Sequence, residues 1–401
     1  MPKAYIINFT GFFGHWGMYG TSMAVTMGLA EKGYDADYLA VNEIASLFPE
    51  QQAWDEMKSS AAFRLFEARN PQIVTAMGEA DIVVVNGEGT LHGVRPSSLN
   101  LLALMFYARK YLKRPVYLIN TAFYPTPFDG IGSVDSHAPY AETLHALGHR
   151  PVVVRDRASF SNVEELGGKA ILGFDCLPLL ARALPRSQFS PRDGRILLTA
   201  SAGCTPTQAK ELSKTIARTI GARPHVGYLS GGTAKYNAFE RQFHEAMSDE
   251  IAGLALDETE TFLDFCKALD GSLLISGRFH YLIAGAWMNA KLAPFESNTR
   301  KNTELIADVG VRLEQLFAPT GPVSDTALLR NAISRARPVS AASKQRCEKR
   351  SLRNFSRIRQ VGPPVRSTLV HEMAKRLGCP MEMVGRITPE PRPTEPRDER
   401  S

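Results

Sequence analysis

Short apolar blocks recur through the first three quarters of the chain and are separated by amphipathic stretches. Nine of these blocks predict strands, at 4–9, 36–41, 80–86, 115–120, 151–155, 196–201, 225–230, 272–276 and 291–295. Most of them are continuous runs rich in Val, Ile and Tyr, which is typical of strands covered on both faces of a parallel sheet. The chain is therefore expected to be an α/β protein.

Helical patterns occupy the stretches between the blocks. They are predicted at 20–32, 97–112, 139–148, 206–219, 235–249, 259–268 and 280–289. Regular alternation of strand and helix indicates doubly wound domains. A charged, Pro-containing stretch at 181–195 interrupts the alternation and predicts a linker. We therefore expect two Rossmann-like domains, 1–185 and 190–325, that face each other across a cleft.

The C-terminal residues 335–401 have a different composition. They hold 16 Lys and Arg against 7 Asp and Glu, a balance of +9 in a chain whose net charge is +6, and they contain eight prolines. Without strand-like blocks, this composition predicts a basic, largely disordered tail, whose removal should leave the fold intact. Its charge suits an acidic partner, such as an anionic membrane. Nucleic acid is an unlikely partner, because the weak helix-turn-helix pattern at 367–387 has no visible three-helix core.

The remaining sequence features indicate the cellular compartment in which the protein is expected. No stretch reaches the roughly 18 consecutive apolar residues of a membrane span. The N-terminus begins directly with a strand pattern, not a signal peptide. The five cysteines are scattered without a C-x-x-C pair, which indicates reduced thiols and no metal site. We expect a cytoplasmic protein, with peripheral membrane contact as an option.

Candidate chemistry lies where predicted strands end. In SGRFHYLIAGA, Arg278 and His280 stand at the junction of a strand and a helix. Ligands of α/β sheets bind beyond the carboxyl ends of strands, near helix N-termini. The Arg guanidinium suits phosphate or carboxylate, and a His exchanges protons near neutral pH. The alternative is a structural Arg–Asp pair with a partly buried structural His.

A second junction is NGEGTLHG. Asn86, Gly87 and Gly89 surround Glu88, which could accept a hydroxyl proton, and His92 follows. The alternative is a tight turn whose Glu caps the next helix. The spacing fits neither a dinucleotide-binding nor a Walker motif.

Three further stretches add candidates. RDRASF places Arg155, Asp156 and Ser159 after a strand, although an ordinary Arg–Asp helix start explains the same pattern. ESNTRKN adds Asn298 and Lys301, the latter as a phosphate contact or an exposed helix-start lysine. The Gly-rich stretch 8–20 combines aromatic residues with His15, either as a platform for a sugar ring or as lid packing.

These segments together resemble the polysaccharide pyruvyl transferase family. The resemblance is carried by NGEGTLHG, by RDRASF in the form R-D-x-x-S, and above all by SGRFHYLIAGAWMNAKLAPF, which is similar to the family's S-x-R-x-H followed by a helix and a Pro-containing strand. It runs through about residues 1–310 in order and spacing. Phe279 stands where Leu is commoner in the family.

The resemblance implies a GT-B-like fold and a role in polysaccharide biosynthesis. Family members move the enolpyruvyl group of phosphoenolpyruvate to two hydroxyls of a saccharide, forming a pyruvate ketal and releasing phosphate. On this basis Arg278, His280 and Arg155 contact the donor, and Lys301 adds a basic contact. No cofactor is implied beyond phosphoenolpyruvate as co-substrate, and a lipid-linked saccharide is one option for the acceptor.

The residue types suit this chemistry. Phosphoenolpyruvate carries a carboxylate and a phosphate, so fixed cations suit it. A protonated His280 would supply the proton that ketal formation needs, and Glu88 or Asp156 is the candidate base. Two alternatives stay open: a GT-B-like glycosyltransferase that uses a nucleotide sugar, and a non-catalytic glycan-binding relative.

Overall fold

The computed structural model describes residues 1–48, 53–126, 137–191, 194–201, 205–221, 225–295, 301–311 and 326–388. Within them the chain forms two parallel sheets, each layered between helices. The two sheets face each other with the carboxyl ends of their strands near a common cleft. The predicted pair of Rossmann-like domains is confirmed.

In the described part of the first domain, six parallel strands form the sheet. They are β1 (Lys3–Phe9), β2 (Asp35–Ala40), β3 (Ile82–His92), β4 (Val116–Tyr124), β5 (Val152–Val154) and β6 (Ala170–Leu172). The helices are α1 (Trp16–Glu31), α2 (Val41–Ile44), α3 (Trp54–Met57), α4 (Ser60–Arg69), α5 (Pro71–Glu79), α6 (Pro96–Lys110), α7 (His137–Leu147), α8 (Arg157–Glu165) and α9 (Leu177–Ala183). The strand order is β2-β1-β3-β4-β5-β6. The order reverses between β1 and β3, which is where sheets of this type form ligand sites.

The second domain repeats this plan with five strands among its described residues. They are β7 (Ile196–Ser201), β8 (Val226–Gly231), β9 (Ala255–Thr259), β10 (Leu273–Gly277) and β11 (Lys291–Pro294), in the order β11-β10-β7-β8-β9. The helices are α10 (Pro206–Ile220), α11 (Ala234–Ser248), α12 (Phe262–Leu269), α13 (Phe279–Trp287), α14 (Lys301–Val309) and α15 (Thr326–Arg335).

Helix starts in the second domain follow a repeated local rule. Thr205, Thr233 and Thr261 precede α10, α11 and α12, and each side chain accepts a backbone N–H from the first turn. A Thr in this position satisfies one of the otherwise unpaired amides of a helix. Helix α13 differs, because its N-cap residue Arg278 makes no such bond. The first turn of α13 therefore keeps amides that no side-chain cap occupies.

All nine predicted strands are present within one or two residues at their starts. Strand β3 continues to His92, so the NGEG segment lies within an irregular strand and is not a loop after it. The helix predicted at 259–268 starts later, at Phe262, because 255–259 form β9. The sequence pattern missed β6 and β9, which are short and partly exposed.

The disorder predicted for 335–401 is wrong for the part that the structure describes, up to residue 388. Helices α16 (Ala341–Ser351) and α17 (Thr368–Ala374) pack back onto the first domain. Leu369, Met373 and Leu377 are at most 3% exposed. Leu369 and Met373 lie four residues apart on α17 and Leu377 follows in the turn after it, so single apolar residues alternate with polar and basic ones without forming an apolar block. Residues 389–401, with four of the eight prolines of this segment, lie outside the described residues.

Within the described ranges, the structure contains no helix with the length and apolar character to cross a bilayer.

Candidate functional site

The two domains touch through the Gly-rich segment that joins β1 to α1. The backbone N–H of Thr233 donates to Gly14 O at 2.9 Å. Trp16 Nε1 donates to Thr259 O at 3.0 Å. Any side chain at Gly232 would collide with the backbone of Gly14 and His15. The cleft is therefore closed on this side by direct contact between the domains.

Asp175 is the centre of the polar cluster in the cleft. It is fully buried and follows β6 by three residues. One carboxylate oxygen, Oδ1, accepts hydrogen bonds from Thr21 Oγ1 and Leu177 N, both at 2.9 Å. The other oxygen, Oδ2, lies 3.1 Å from Arg155 Nη1 and 3.4 Å from His280 Nε2. Asp175 thus connects the Arg of the first domain with the His of the second.

The charges around Asp175 set its protonation state. Burial alone would raise the pKa of this carboxyl group, but the charge and hydrogen bond of His280 and the charge of Arg155 lower it to well below its ordinary value of 3.8. Asp175 is therefore ionised at neutral pH. A fixed carboxylate beside an imidazole orients the ring.

Arg155 crosses the cleft. It is 4% exposed, and its guanidinium carbon lies 4.4 Å from the ring centroid of Phe279. That residue stands between Arg278 and His280 at the start of α13, so the RDRAS and SGRFH segments are in direct contact. The cation also stacks on an aromatic face, which favours a fixed orientation. The expectation that these two segments face one cleft agrees with this geometry.

Arg278 has a different partner. Its guanidinium forms a buried ion pair with Glu240 of α11 and lies 5.8 Å from the ring centroid of Tyr236. The second carboxylate oxygen of Glu240 accepts from Tyr228 Oη. Both Arg278 and Arg155 keep a buried Nε without a hydrogen-bond partner among the described residues. Each of these cations is thus held by one carboxylate and retains an unused donor.

Glu88 adjoins the same cluster from β3. It is 4% exposed, and Oε1 accepts from Thr10 Oγ1 at 2.6 Å and from Asn86 Nδ2 at 3.0 Å. Asn120 Nδ2 in turn donates to Asn86 Oδ1 at 2.8 Å. Asn8, Glu88 and Asn120 all have positive φ, of 66°, 36° and 52°. Left-handed backbone at one position in each of three neighbouring strands is strained, as is common at functional sites.

The protonation state of Glu88 should make the stability of the fold depend on pH. Burial raises its pKa above 4.5, with a further contribution from Asp175, against the opposing effects of His280, Thr10 and Arg155. The folded state therefore binds more protons than the unfolded state between pH 4.5 and the raised value, and stability falls as pH rises through that window. Glu88→Gln should raise the melting temperature at pH 8 but not at pH 4. Calorimetry checks this, with the exposed Glu67→Gln as control, and a pH-independent difference would contradict it.

His15 belongs to the site through its position before α1. Its Nδ1 accepts the backbone N–H groups of Gly17 at 3.1 Å and Met18 at 3.3 Å, so the neutral ring carries its proton on Nε2. Burial lowers its pKa well below 6.5, with contributions from the charges of His280, Arg278 and Lys301. The ring centroid lies 5.4 Å from that of His280. His15 is thus a neutral hydrogen-bond donor beside the His280 ring.

The approach of α1 to α13 depends on Gly17. A Cβ atom at this position would lie 2.2 Å from His280 Cβ. We expect Gly17→Ala to cost about 1–3 kcal/mol of unfolding free energy, because the two helices must separate. Gly78→Ala is the matched control, since a Cβ there meets nothing within 4 Å and should stabilise helix α5 by up to about 1 kcal/mol. Denaturant unfolding of both variants measures their unfolding free energies. Equal changes in the two variants would contradict the close approach of α1 to α13 at Gly17.

Three predicted residues form a separate group around Tyr124. Asp156 is the N-cap of α8 and accepts from Ser159 N at 2.7 Å and from Tyr124 Oη at 3.0 Å. Ser159 Oγ accepts from Phe123 N at 2.8 Å. The His92 ring packs edge-on against Tyr124, with centroids 5.6 Å apart. Burial raises the pKa of Asp156. Asp156 therefore caps α8, and the side chains of Asp156 and Ser159 both bond that helix start to β4.

The other predicted residues have these positions. A Cβ at Gly87 would collide with Thr121, so the chain packs closely there, whereas one at Gly89 would lie 3.7 Å from Arg155 Nη2, an ordinary contact. Lys301 is the half-buried first residue of α14, and its charge acts on His15. Asn298 lies outside the described residues. Across the described ranges, no group of three or more His, Cys, Asp or Glu is arranged to hold a metal ion.

Sequence reasoning missed Asp175 and Glu240, the two carboxylates that hold the arginines. Asp175 follows a three-residue strand that leaves no apolar block in the sequence. Glu240 could have been found, because it shares the buried face of α11 with Phe243 and Met247. A carboxylate within an apolar helical stripe needs a buried cation as partner.

No protein-family model matches the sequence, and no curated protein matches it significantly. Solved structures do match. MnaA of S. aureus, solved with UDP, has a TM-score of 0.52 and 12% identity over 91% of this chain and 99% of that one. The UDP-GlcNAc 2-epimerase of Methanocaldococcus jannaschii, solved with UDP-GlcNAc and UDP, has a TM-score of 0.52 and 12% identity over 87% and 99%. HepE of Anabaena, solved with UDP-glucose, has a TM-score of 0.50 and 10% identity over 94% of this chain and 100% of that one.

At these identities the comparison defines the fold. Together with the two facing parallel sheets, it shows that the chain has the GT-B-like fold expected from its sequence. The likeness covers both domains and the cleft between them.

Proposed function

We propose that the chain is a transferase that moves a group from a phosphate-bearing donor to a saccharide in the cleft between its domains. The observation that carries this proposal is the contact of Arg155, Asp175 and His280 across the cleft. This contact brings together Arg155 of the first domain, which can bind an anion, and His280 of the second domain, which can transfer a proton.

The binding of an anionic donor is supported by three features. Arg155 and Arg278 are nearly buried, and each has an unpaired Nε among the described residues. Helix α13 begins at Arg278 without a side-chain cap. Amides at a helix N-terminus bind phosphate together with the helix dipole. The proposed phosphate site draws on Arg155, Arg278 and the first turn of α13.

The proton transfer is assigned to His280. In glycosyl transfer, the acceptor hydroxyl attacks the anomeric carbon of the donor, the bond from that carbon to the phosphate oxygen breaks, and His280 accepts the hydroxyl proton. Asp175 stabilises the imidazolium that forms. His15 Nε2–H is close enough to the His280 ring to orient either substrate by a hydrogen bond.

A nucleotide sugar is the donor that we favour. The three similar structures named above were solved with UDP, UDP-GlcNAc or UDP-glucose. A GT-B-like cleft with two arginines suits a diphosphate, because guanidinium groups pair with phosphate oxygens in a bidentate geometry.

Phosphoenolpyruvate is the second candidate donor, supported by a specific observation. The segments that resemble the polysaccharide pyruvyl transferase family, NGEG, RDRAS and SGRFH, converge around Asp175. In this reaction a protonated His280 would give its proton to the enol carbon, the two saccharide hydroxyl oxygens would bond to the neighbouring carbon, and the bond from that carbon to the phosphate oxygen would break. The leaving phosphate would take one of the two hydroxyl protons. Glu88 would accept a hydroxyl proton.

Donor binding separates these candidates. The protein is heated with a panel of UDP-sugars, with phosphoenolpyruvate and with sulfate at equal ionic strength. A donor at 100 times its dissociation constant should stabilise the fold by about 2.7 kcal/mol. Stabilisation by a UDP-sugar supports the favoured donor, and stabilisation by phosphoenolpyruvate alone supports the second. No effect from either class beyond that of sulfate would contradict the proposal and favour a non-catalytic glycan-binding protein.

A further inference from the structure

The segment that returns from the second domain to the first one makes regular contacts with the chain before Asp175. Four consecutive carbonyl oxygens, of residues 172–175, accept hydrogen bonds from four side chains within one turn of the returning segment. The bonds are Arg353 Nη1 to Leu172 O at 2.8 Å, Arg350 Nε to Gly173 O at 2.8 Å, Asn354 Nδ2 to Phe174 O at 2.9 Å and Ser351 Oγ to Asp175 O at 2.6 Å. We call Arg350, Ser351, Arg353 and Asn354 the carbonyl clamp.

One residue of the carbonyl clamp also reaches the Asn network behind Glu88. Asn354 is 1% exposed, and its Oδ1 accepts from Asn120 N at 2.7 Å. Asn120 has left-handed backbone, and its side chain bonds to Asn86, which bonds to Glu88. The side chain of Asn354 thus supports both the Asp175 segment and the Asn–Glu88 network.

The carbonyl clamp is also tied to the second domain. Arg350 Nη1 lies 2.6 Å from Asp308 Oδ1 of α14, while Arg350 Nε holds Gly173 O of the first domain. Trp287 Nε1 at the end of α13 donates to Glu348 of α16 at 2.8 Å. The helix that carries His280 in its first turn and the segment that ends with Asp175 are therefore fixed to the same short piece of chain.

From this geometry we propose that the carbonyl clamp positions Asp175 against His280, so that residues of the predicted tail complete the site. Ser351 and Asn354 act as positioning residues and touch neither donor nor acceptor. A carbonyl hydrogen bond on every residue from 172 to 175 leaves the Asp175 backbone little freedom to move. Only the expected effect of the carbonyl clamp on turnover rests on the proposed role of His280.

The test uses full-length protein with labelled histidines, whose ring resonances are recorded for the wild type and for Ser351→Ala and Asn354→Ala. The His280 signals are identified by their loss in His280→Gln. We expect both clamp variants to move the His280 ring resonances and to lower kcat, on the order of 100-fold for Asn354→Ala, with little change in KM. Ser351→Ala removes only one hydroxyl, so this variant carries the test if Asn354→Ala does not fold. Ser351→Thr, which keeps the hydroxyl, should restore the wild-type signals.

Ser356→Ala is the matched control. Its hydroxyl lies in the same turn but donates to Arg353 O at 2.8 Å and not to residues 172–175. It should leave the His280 signals and kcat unchanged. His280 signals identical to the wild type in both clamp variants would overturn the inference. Moved signals with unchanged turnover on a bound donor would support the carbonyl clamp and contradict the catalytic role of His280.

Discussion

Deletion of residues 336–401 is expected to yield a protein that no longer unfolds in one cooperative transition near the wild-type temperature. The described part of this segment buries Phe355, Leu369, Met373, Leu377 and Ile387, each at most 3% exposed. Removing one large apolar side chain from a core costs about 2–5 kcal/mol, and whole proteins are stable by only about 5–15 kcal/mol. The loss of several such contacts therefore exceeds what the fold can tolerate.

A pair of single substitutions tests the same claim without a deletion. Met373 is fully buried, whereas Met383 is 43% exposed. Met373→Ala should lower the unfolding free energy by about 2–5 kcal/mol, and Met383→Ala should change it by less than about 0.5 kcal/mol. Urea unfolding of both variants gives the comparison. A full-length-like transition after the deletion, or equal effects of the two substitutions, would show that the segment does not belong to the core.

Asp175→Ala should have the second large effect, a loss of about 3–5 kcal/mol of unfolding free energy. The substitution leaves Arg155 buried with its charge uncompensated, since the side chains of both residues are at most 2% exposed. Asp55→Ala is the control, because that carboxylate pairs with Lys58 but is 84% exposed, and such pairs contribute less than about 1 kcal/mol.

The effect of Asp175→Ala should also depend on pH. The pKa of Asp175 is lowered in the folded protein, so its contribution is fully present above the ordinary value of 3.8 and is lost as pH falls below it. The stability difference between the wild type and Asp175→Ala is therefore expected to shrink in acid. A difference that is small at pH 7, or that grows in acid, would show that Asp175 is not held as a buried carboxylate.

The sheet could be predicted because its central strands are buried on both faces. Residues such as Ile7, Val84 and Leu198 are fully buried, and continuous apolar blocks follow from that burial. Strand β9 reads Ala-Leu-Asp-Glu-Thr and lies at a sheet edge, so its polar residues are tolerated and no block marks it. The apolar spacing at 367–387 is compatible with one or two short helices, but single apolar residues within a basic segment resemble disordered sequence, so the burial of Leu369, Met373 and Leu377 was not expected.

The site could be predicted in part, through the rule that parallel strands end at one edge. That rule brought Glu88, Arg155 and His280 to one cleft, and the structure has them around Asp175. It could not identify the partners that hold them. The pairing of Arg278 with Glu240, and of Arg155 with Asp175, depends on how separate elements pack, which the local pattern does not contain.

The product mass tests the central claim most directly. Wild-type protein is incubated with a panel of saccharide acceptors and either UDP-sugars or phosphoenolpyruvate as donor. The masses of the saccharide products are then measured by mass spectrometry. His280→Gln is the control, with donor binding verified separately. We predict a glycosyl mass increment with the wild type and a rate lower by about 10²- to 10⁴-fold with His280→Gln. A pyruvate ketal increment would identify the second donor. No increment with either donor, or equal rates for the wild type and His280→Gln, would contradict the account.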